Sequence, residues 1–512
     1  MKARKWIDSA VVILFFAAIL LFLSYAGTLT SGYHFIDDHE MIVIHSDLEK
    51  APVLNVMANL IKKDLNIRFR PMYFVHRIIE IKIFGADFFT LSFYTGILAA
   101  LTFSFFYLGA RKLKFSALES LIFVLLAFIG SQMAIWWMLG PNETIGMFFL
   151  GLTFLFLAKS AERKNYLRDT VLFSVFLVFA SLSKESFVIV IPAFVFYKIW
   201  NEKNIFGISL RESIQNNLVL LLPAAAMVFE IWMIYFAVGT NTIGYAGSTS
   251  GWEELKRGIL AIITSKIMLK DWLTFFGIIT FLFFLGVVLQ KGEKKKKMAY
   301  IFKNILPSII FSFLIVAPGI LMYAKSGMAE RYLLPSAFGL AFLAVFLVRE
   351  NPKIFFRAAG GVIAVIFLLG SFKITEDSAK AFAASGIYTN QLLSAAIANS
   401  KPDAKILLAV DPVDRFEASD AIKTYLLREK RDNVFGYSLP REYKSDFEFG
   451  LEKGWESWYK GKMLSDMVGP PDMIIMTDKI QAERFFSETR LDKDDYKSEL
   501  SADNPHALFI KK

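Results

Sequence analysis

Apolar positions in this chain fall in long unbroken runs, not in strict alternation. The first run extends from about Ile7 to Ala26, and others follow at roughly 90–110, 117–139, 144–158, 170–183, 187–200, 218–238, 272–290, 303–323, 334–348 and 357–372. A helix needs ~20 mostly apolar residues to cross ~30 Å of hydrocarbon. The pattern therefore predicts a polytopic α-helical membrane protein with about eleven transmembrane helices. The first run stands behind Lys2, Arg4 and Lys5 like a signal sequence, but it is long and no small-residue cleavage site follows cleanly, so it reads as an uncleaved first span. The runs at 170–183 and 187–200 form a helical hairpin broken by Ser183-Lys184-Glu185-Ser186.

Composition agrees with that picture. Of 512 residues, 55% are hydrophobic, 20% are charged and 52 are Phe, against ~45–50% apolar and ~25% charged in ordinary soluble domains. The totals argue against a soluble cytosolic enzyme, a disordered chain and a fibrous one. With Cys at 0, disulfides, thiolate metal sites and a Cys nucleophile are excluded too.

Charge placement sets the expected topology. With the N-terminus in the cytoplasm, inner segments carry 22 Lys and Arg against 14 outside, and 7 of those 14 lie in one long loop. An odd span count puts the C-terminus outside. From Lys373 onward the chain holds 21 basic and 24 acidic residues, so the overall +10 divides into +13 on residues 1–372 and −3 on the tail. Most of the positive charge is thus a topology signal and not a nucleic-acid surface. In the tail, 405–411, 433–437, 473–477 and 507–510 read as strands, and 419–430 as a helix. The expected domains are a transmembrane module, 1–372, and a small extracytoplasmic α/β domain, 373–512.

The remaining polar residues supply the chemistry. The first external loop, about 27–90, contains Asp37-Asp38 and interface-type amphipathic stretches. Adjacent carboxylates can hold a base and a helper, or contact a divalent cation; the same spacing fits a capped turn before a helix. Arg68 and Arg70 suit bidentate phosphate contact and equally a snorkelling interface helix. Glu143 follows Gly140-Pro141-Asn142, Lys184-Glu185 breaks the hairpin, and Glu330-Arg331 precedes the tenth run. Glu230 lies ~12 Å inside the seventh run, with Lys184 or Arg331 its only evident partners. Under a topology chosen from basic residues alone, Asp37, Asp38, Glu143, Glu185, Glu330, Arg68, Arg70, Lys184 and Arg331 share one side. An anionic membrane-borne substrate needs this mixture: a base for an acceptor and cations for a phosphate leaving group.

The motifs Phe35-Ile36-Asp37-Asp38, Arg70-Pro71, Ile83-Phe84-Gly85-Ala86-Asp87, Leu182-Ser183-Lys184-Glu185-Ser186 and Ala329-Glu330-Arg331-Tyr332-Leu333-Leu334-Pro335-Ser336 resemble, in order and spacing, the GT-C superfamily of polytopic glycosyltransferases. They are most similar to its protein O-mannosyltransferase-like branch. The resemblance implies a polyprenyl-phosphate-linked sugar donor, a glycan, lipid or protein acceptor, membrane lipids as partners, transfer on the outer face of the cell membrane, and inversion in one displacement. It implies Asp37 and Asp38 as catalytic carboxylates, with an optional divalent metal ion on them and no other cofactor. Lys184, Arg331 and Arg70 become donor-phosphate ligands, and Glu143, Glu185 and Glu330 supporting acids. Gly140-Pro141-Asn142-Glu143 departs from the branch, which often has Gly-Arg before the acid, and the branch's tetratricopeptide array is missing.

A transporter or flippase for a lipid-linked saccharide is the alternative. It would account for the cations and Glu230, but it predicts inverted repeats, which the sequence lacks. A phosphoethanolamine-transferase-like enzyme needs a metal-rich soluble domain, and the tail has only His506. In that tail, Trp455, Trp458 and Tyr459 suit either sugar stacking or core packing. Asp411 and Asp414 follow the first strand, where α/β sites often form.

Overall fold

The structure is a computed structural model. It describes residues 2–66, 68–162, 164–238, 256, 260, 268–290, 305–325, 330–412, 417–439, 455, 459 and 461–512. The helices in chain order are α1 (Lys2–Ala26), α2 (Asp38–Lys50), α3 (Val53–Asp64), α4 (Pro71–Phe84), α5 (Phe88–Lys112), α6 (Ala117–Phe128), α7 (Glu143–Ser160), α8 (Tyr166–Ser181), α9 (Val190–Phe206), α10 (Leu210–Asn216) and α11 (Leu221–Met233). They continue with α12 (Met268–Val288), α13 (Leu306–Lys325), α14 (Ser336–Glu350), α15 (Ile354–Asn399), α16 (Ala418–Arg428) and α17 (Ala482–Thr489).

Every apolar run read from the sequence carries a helix. Six helical stretches among the described residues are long and apolar enough to cross a membrane: Arg4–Ala26, Phe88–Lys112, Glu143–Ser160, Leu218–Phe236, Asp271–Val288 and Ile354–Asn399. Among the described residues, Ala117–Phe128 and Leu306–Ile320 are shorter apolar helical stretches. The run at 117–139 shows how an apolar stretch stops being helix. Ser116 caps α6 in a capping box with Glu119, and the helix ends at Phe128. Gly130 then takes φ 133, a conformation only glycine adopts readily, and a 3-10 turn, Ser131–Trp136, follows. At the other extreme, α15 runs unbroken for 46 residues, ~69 Å, through the expected boundary at 372.

The chain divides into two compact units. The first comprises 1–23, 57–79 and 93–379. Its core is built from Phe: Phe106 lies 5.1 Å from Phe338, Phe123 lies 5.7 Å from Phe154, and Phe154 lies 5.5 Å from Phe338. The first two pairs are tilted and the third is edge-to-face; aromatic pairs add ~0.5–1.5 kcal/mol beyond burial. Gly109 permits the close approach of α5 and α7, since a Cβ there would stand 2.6 Å from Phe154 Cδ1. A buried polar network ties α7, α8, α9 and α10. Lys198 pairs with Glu202 and donates to Ser160 at 2.9 Å, while Tyr166 donates to Glu202 at 2.9 Å. Asn217 Nδ2 donates to Glu202 and to the Ser213 carbonyl.

The second unit comprises 24–56, 80–92 and 380–512. It holds a six-stranded sheet of β1 (Ile406–Val410), β2 (Val434–Ser438), β3 (Lys462–Met463), β4 (Met473–Met476), β5 (Tyr496–Ser498) and β6 (Ala507–Lys511), in the order β3-β2-β1-β4-β6-β5. The strands β3, β2, β1 and β4 are parallel; β6 runs antiparallel to β4 and β5. Side chains alternate between faces with period two. Ile406, Leu408, Val410 and Ile475 join one core, which also buries Tyr33, Phe35 and Ile42 of the first loop. Leu407, Ala409, Ile474 and Met476 face a second core with Phe485, Phe486 and Phe509. The tail sheet is thus completed by residues that precede it by more than 350 positions in sequence.

Candidate functional site

In the second unit, the loop that carries Asp37 and Asp38 is fixed on both sides. Asn390 Nδ2 donates to the Ser31 and Tyr33 carbonyls at 2.9 and 3.1 Å. The Tyr33 hydroxyl, whose pKa burial pushes well above its ordinary value, donates to the Ala421 carbonyl at 2.8 Å. Phe35 packs against His506 at 5.2 Å, and His39 lies 3.7 Å from the Asp420 carboxylate.

Within this frame the two adjacent carboxylates differ. Asp38, at the first position of α2, is 1% exposed. Its Oδ2 accepts from the His34 backbone N–H at 2.9 Å and lies 3.2 Å from His34 Nδ1. The His34 ring in turn stacks on Phe382 with centroids 3.8 Å apart. Asp37 is only half-buried and sits in the left-handed region, φ 64 and ψ −25. Asp and Asn reach that region at lower cost than other side chains, though still at a cost. A non-glycine residue held there by its surroundings is a common mark of a functional position. Asp37 and Asp38 gather with no third His, Asp or Glu into a metal-type cluster among the described residues.

In the first unit, four sequence-distant segments meet. Lys184 forms an ion pair with Glu143, which is 2% exposed at the head of α7. Lys184 Nζ also lies 4.3 Å from the Tyr332 ring centroid, and Arg331 Cζ lies 5.4 Å from the same ring. Arg331 is close enough to add its charge to that of Lys184 at Glu143. The turn before Glu143 is braced twice. Thr144 donates to the Ile135 carbonyl at 2.7 Å, and the buried Arg77 guanidinium donates to the Leu139 carbonyl.

The segment before α4 lies along the Lys184 turn. Phe69 N–H donates to Glu185 Oε1 at 3.2 Å, and Met72 N–H to the Leu182 carbonyl at 3.0 Å. Arg70, expected as a phosphate ligand, makes a two-point contact with Asp64 at 2.9–3.1 Å and lies over Tyr73 at 5.1 Å. Burial pushes the Asp64 carboxyl above its ordinary value even beside Arg70. Glu230 is buried, but its partner is the Ser181 hydroxyl at 2.6 Å, not Lys184 or Arg331. Glu330 begins the 3-10 turn Glu330–Leu333, and its side chain lies outside the described residues.

Glu143, Lys184 and Arg331 therefore come together, with Glu185 and Arg70 on adjoining segments. Asp37 and Asp38 belong to the second unit. Arg77, Tyr332 and His34 were not assigned roles from sequence. The only signal for Arg77 was its position four residues after Tyr73, over whose ring it stacks at 5.2 Å.

This chain is similar to ArnT from Cupriavidus metallidurans. The solved structure of that protein bound to undecaprenyl phosphate matches with TM-score 0.46 and 11% identity, covering 98% of each chain. Its apo structure matches with TM-score 0.47 and 11% identity, covering 99% of this chain and 98% of that one. The archaeal oligosaccharyltransferase AglB from Archaeoglobus fulgidus, in complex with an inhibitory peptide and a dolichol-phosphate, matches with TM-score 0.41 and 10% identity, covering 96% of this chain and 74% of that one. The named neighbours do not include a protein O-mannosyltransferase, so the narrower branch resemblance gains nothing from them. No protein-family model matches the chain, and no curated protein matches it in sequence.

In the tail, Trp455 and Tyr459 are 0% and 1% exposed and stack on each other at 5.2 Å. Trp455 Nε1 donates to Ser419 Oγ at 2.8 Å, so both rings are core and are not available for sugar stacking. Trp458 and Asp414 lie outside the described residues, and Asp411 is buried just after β1.

Proposed function

We propose that this protein is an integral-membrane glycosyltransferase of the GT-C type, moving a sugar from a polyprenyl-phosphate-linked donor to an acceptor on the outer face of the membrane. The observation that carries the reading is the Lys184–Glu143–Tyr332–Arg331 cluster. Two cations from separate segments share one ring, and a buried carboxylate orients one of them. Preorganised positive charge suits a step in which negative charge develops on a leaving phosphate.

In that step the acceptor hydroxyl oxygen bonds to the anomeric carbon while the bond from that carbon to the phosphate oxygen breaks. The configuration inverts, and the lipid phosphate leaves with the electron pair. Asp37 takes the hydroxyl proton. Asp38, buried on His34, positions the loop. A divalent ion, where used, would be held by Asp37 and Asp38 and would supply positive charge against the leaving phosphate. Lys184 and Arg331 hold the donor phosphate, and Arg70 acts through Asp64 to set the segment that runs along the Lys184 turn.

The test uses the full chain in proteoliposomes with a polyprenyl-phosphate-linked sugar. Lys184→Ala and Arg331→Ala should each raise the donor KM by about tenfold or more, the effect of removing a charge-assisted hydrogen bond. Unchanged donor KM in both variants, or movement of the donor across the bilayer without its consumption, contradicts the reading.

A further inference from the structure

The second unit contains an open cavity of about 350 Å³ that the transfer chemistry does not use. Three chain segments line it: Leu29–Tyr33 just after α1, Ala86–Phe89 at the head of α5, and Asn390 with Tyr425 and Arg428. Its floor is aromatic. The half-buried Phe88 and Tyr425 and the exposed Phe89 supply the ring faces, while Tyr33, 1% exposed, packs 5.3 Å from both Phe88 and Tyr425 and backs them. One wall is rigid, because the Asn390 amide is spent on Ser31, Tyr33 and Gly386.

The rim offers free capacity. Phe89 is 52% exposed. The exposed Arg428 guanidinium lies 3.9 Å from Glu429 and is close enough to act on the Tyr33 and Tyr425 hydroxyls. Asp87 uses one carboxylate oxygen to hold Thr90 and leaves the other to accept. The cavity therefore presents one cation, one anion and aromatic faces. A phosphate would meet Asp87 as well as Arg428, and a purely apolar ligand would leave both charges unmatched. A sugar ring satisfies all three features: C–H faces for the aromatics, and hydroxyls that donate to Asp87 and accept from Arg428. The volume, at the low end of the ~300–1,000 Å³ range of ligand sites, holds a small saccharide.

We infer that this cavity binds a saccharide, and that its ligand is the sugar head of a membrane-borne glycan. The source is argued from position, since the lining residues directly follow α1 and open α5, two helices long and apolar enough to cross a membrane. Its role as an acceptor subsite rests on the transferase reading; saccharide binding itself does not.

The experiment is photocrosslinking of the full chain in its native membrane, with Phe89→p-benzoylphenylalanine. A second variant, Thr30→p-benzoylphenylalanine, probes the same cavity if the first fails to accumulate. Phe93→p-benzoylphenylalanine, one turn along α5, reports bulk lipid. Adducts at Phe89 or Thr30 whose mass includes both sugar and a lipid chain, and whose yield falls about tenfold with Arg428→Ala, support the proposal. Sugar adducts without a lipid chain overturn the membrane source. Phospholipid adducts identical to those at Phe93, or none, overturn the saccharide site. Crosslinking needs no turnover. Sugar adducts without transfer therefore count against the transferase reading alone, and transfer without sugar adducts counts against the cavity alone.

Discussion

Asp38 is 1% exposed and accepts from the His34 backbone N–H, whereas Asp37 is half-buried in the left-handed region. Asp38→Ala should therefore destabilise the protein by about 1–3 kcal/mol, because it orphans a buried N–H, whereas Asp37→Asn keeps a side chain that tolerates the left-handed backbone. Thermal unfolding in detergent separates the two, and equal losses would contradict the assignment. The pairing of the carboxylates was visible in the sequence, but their difference was not. It arises from Phe382, Asn390 and His506, all distant in the chain. His76 yields a pH prediction. Burial and the Arg77 charge hold its imidazole at about 3, below the ordinary 6.5. The unfolded chain then takes the proton first as pH falls, so this stabilisation is full above 6.5 and is lost progressively below it. Wild-type unfolding temperature should drop between about pH 7 and pH 5, and His76→Gln should flatten that drop.

At the level of elements, apolar runs located the helices well, because a run of apolar residues has few other stable forms in a membrane. They did not fix helix ends. Gly130 stops α6 although the residues after it remain apolar, and α15 continues past its apolar part. Runs of hydrophobicity also could not reveal the Lys198–Glu202 network, since its members are scattered over α7 to α10 and the turn after α10. Breaking a buried pair leaves an uncompensated charge and typically costs about 3–5 kcal/mol. Glu202→Ala should accordingly lower stability steeply, and Lys198→Met with Glu202→Leu should recover part of the loss. A double variant no more stable than the single one would argue against a structural pair.

For the whole molecule, the division of charge separated an apolar, basic part from an acidic tail, and the short apolar runs at 405–411 and 473–477 marked strands that form β1 and β4. The sequence did not indicate that 24–56 and 80–92 fold with the tail, because no local pattern encodes which core a lone Tyr33 or Phe35 enters. Deleting residues 400–512 removes the partners of Tyr33, Phe35 and Ile42. Limited proteolysis of such a truncation should cut within 31–45, where the full chain resists; equal resistance would show that the loop orders itself without the sheet.

Asp37 is proposed as the proton acceptor of the sugar transfer. The most direct measurement is single-turnover consumption of a polyprenyl-phosphate-linked sugar by purified Asp37→Asn protein in proteoliposomes, alongside wild type. The rate should fall by about 10²–10⁴-fold, the usual contribution of a positioned general base, with donor binding retained. Consumption at the wild-type rate by Asp37→Asn would contradict it.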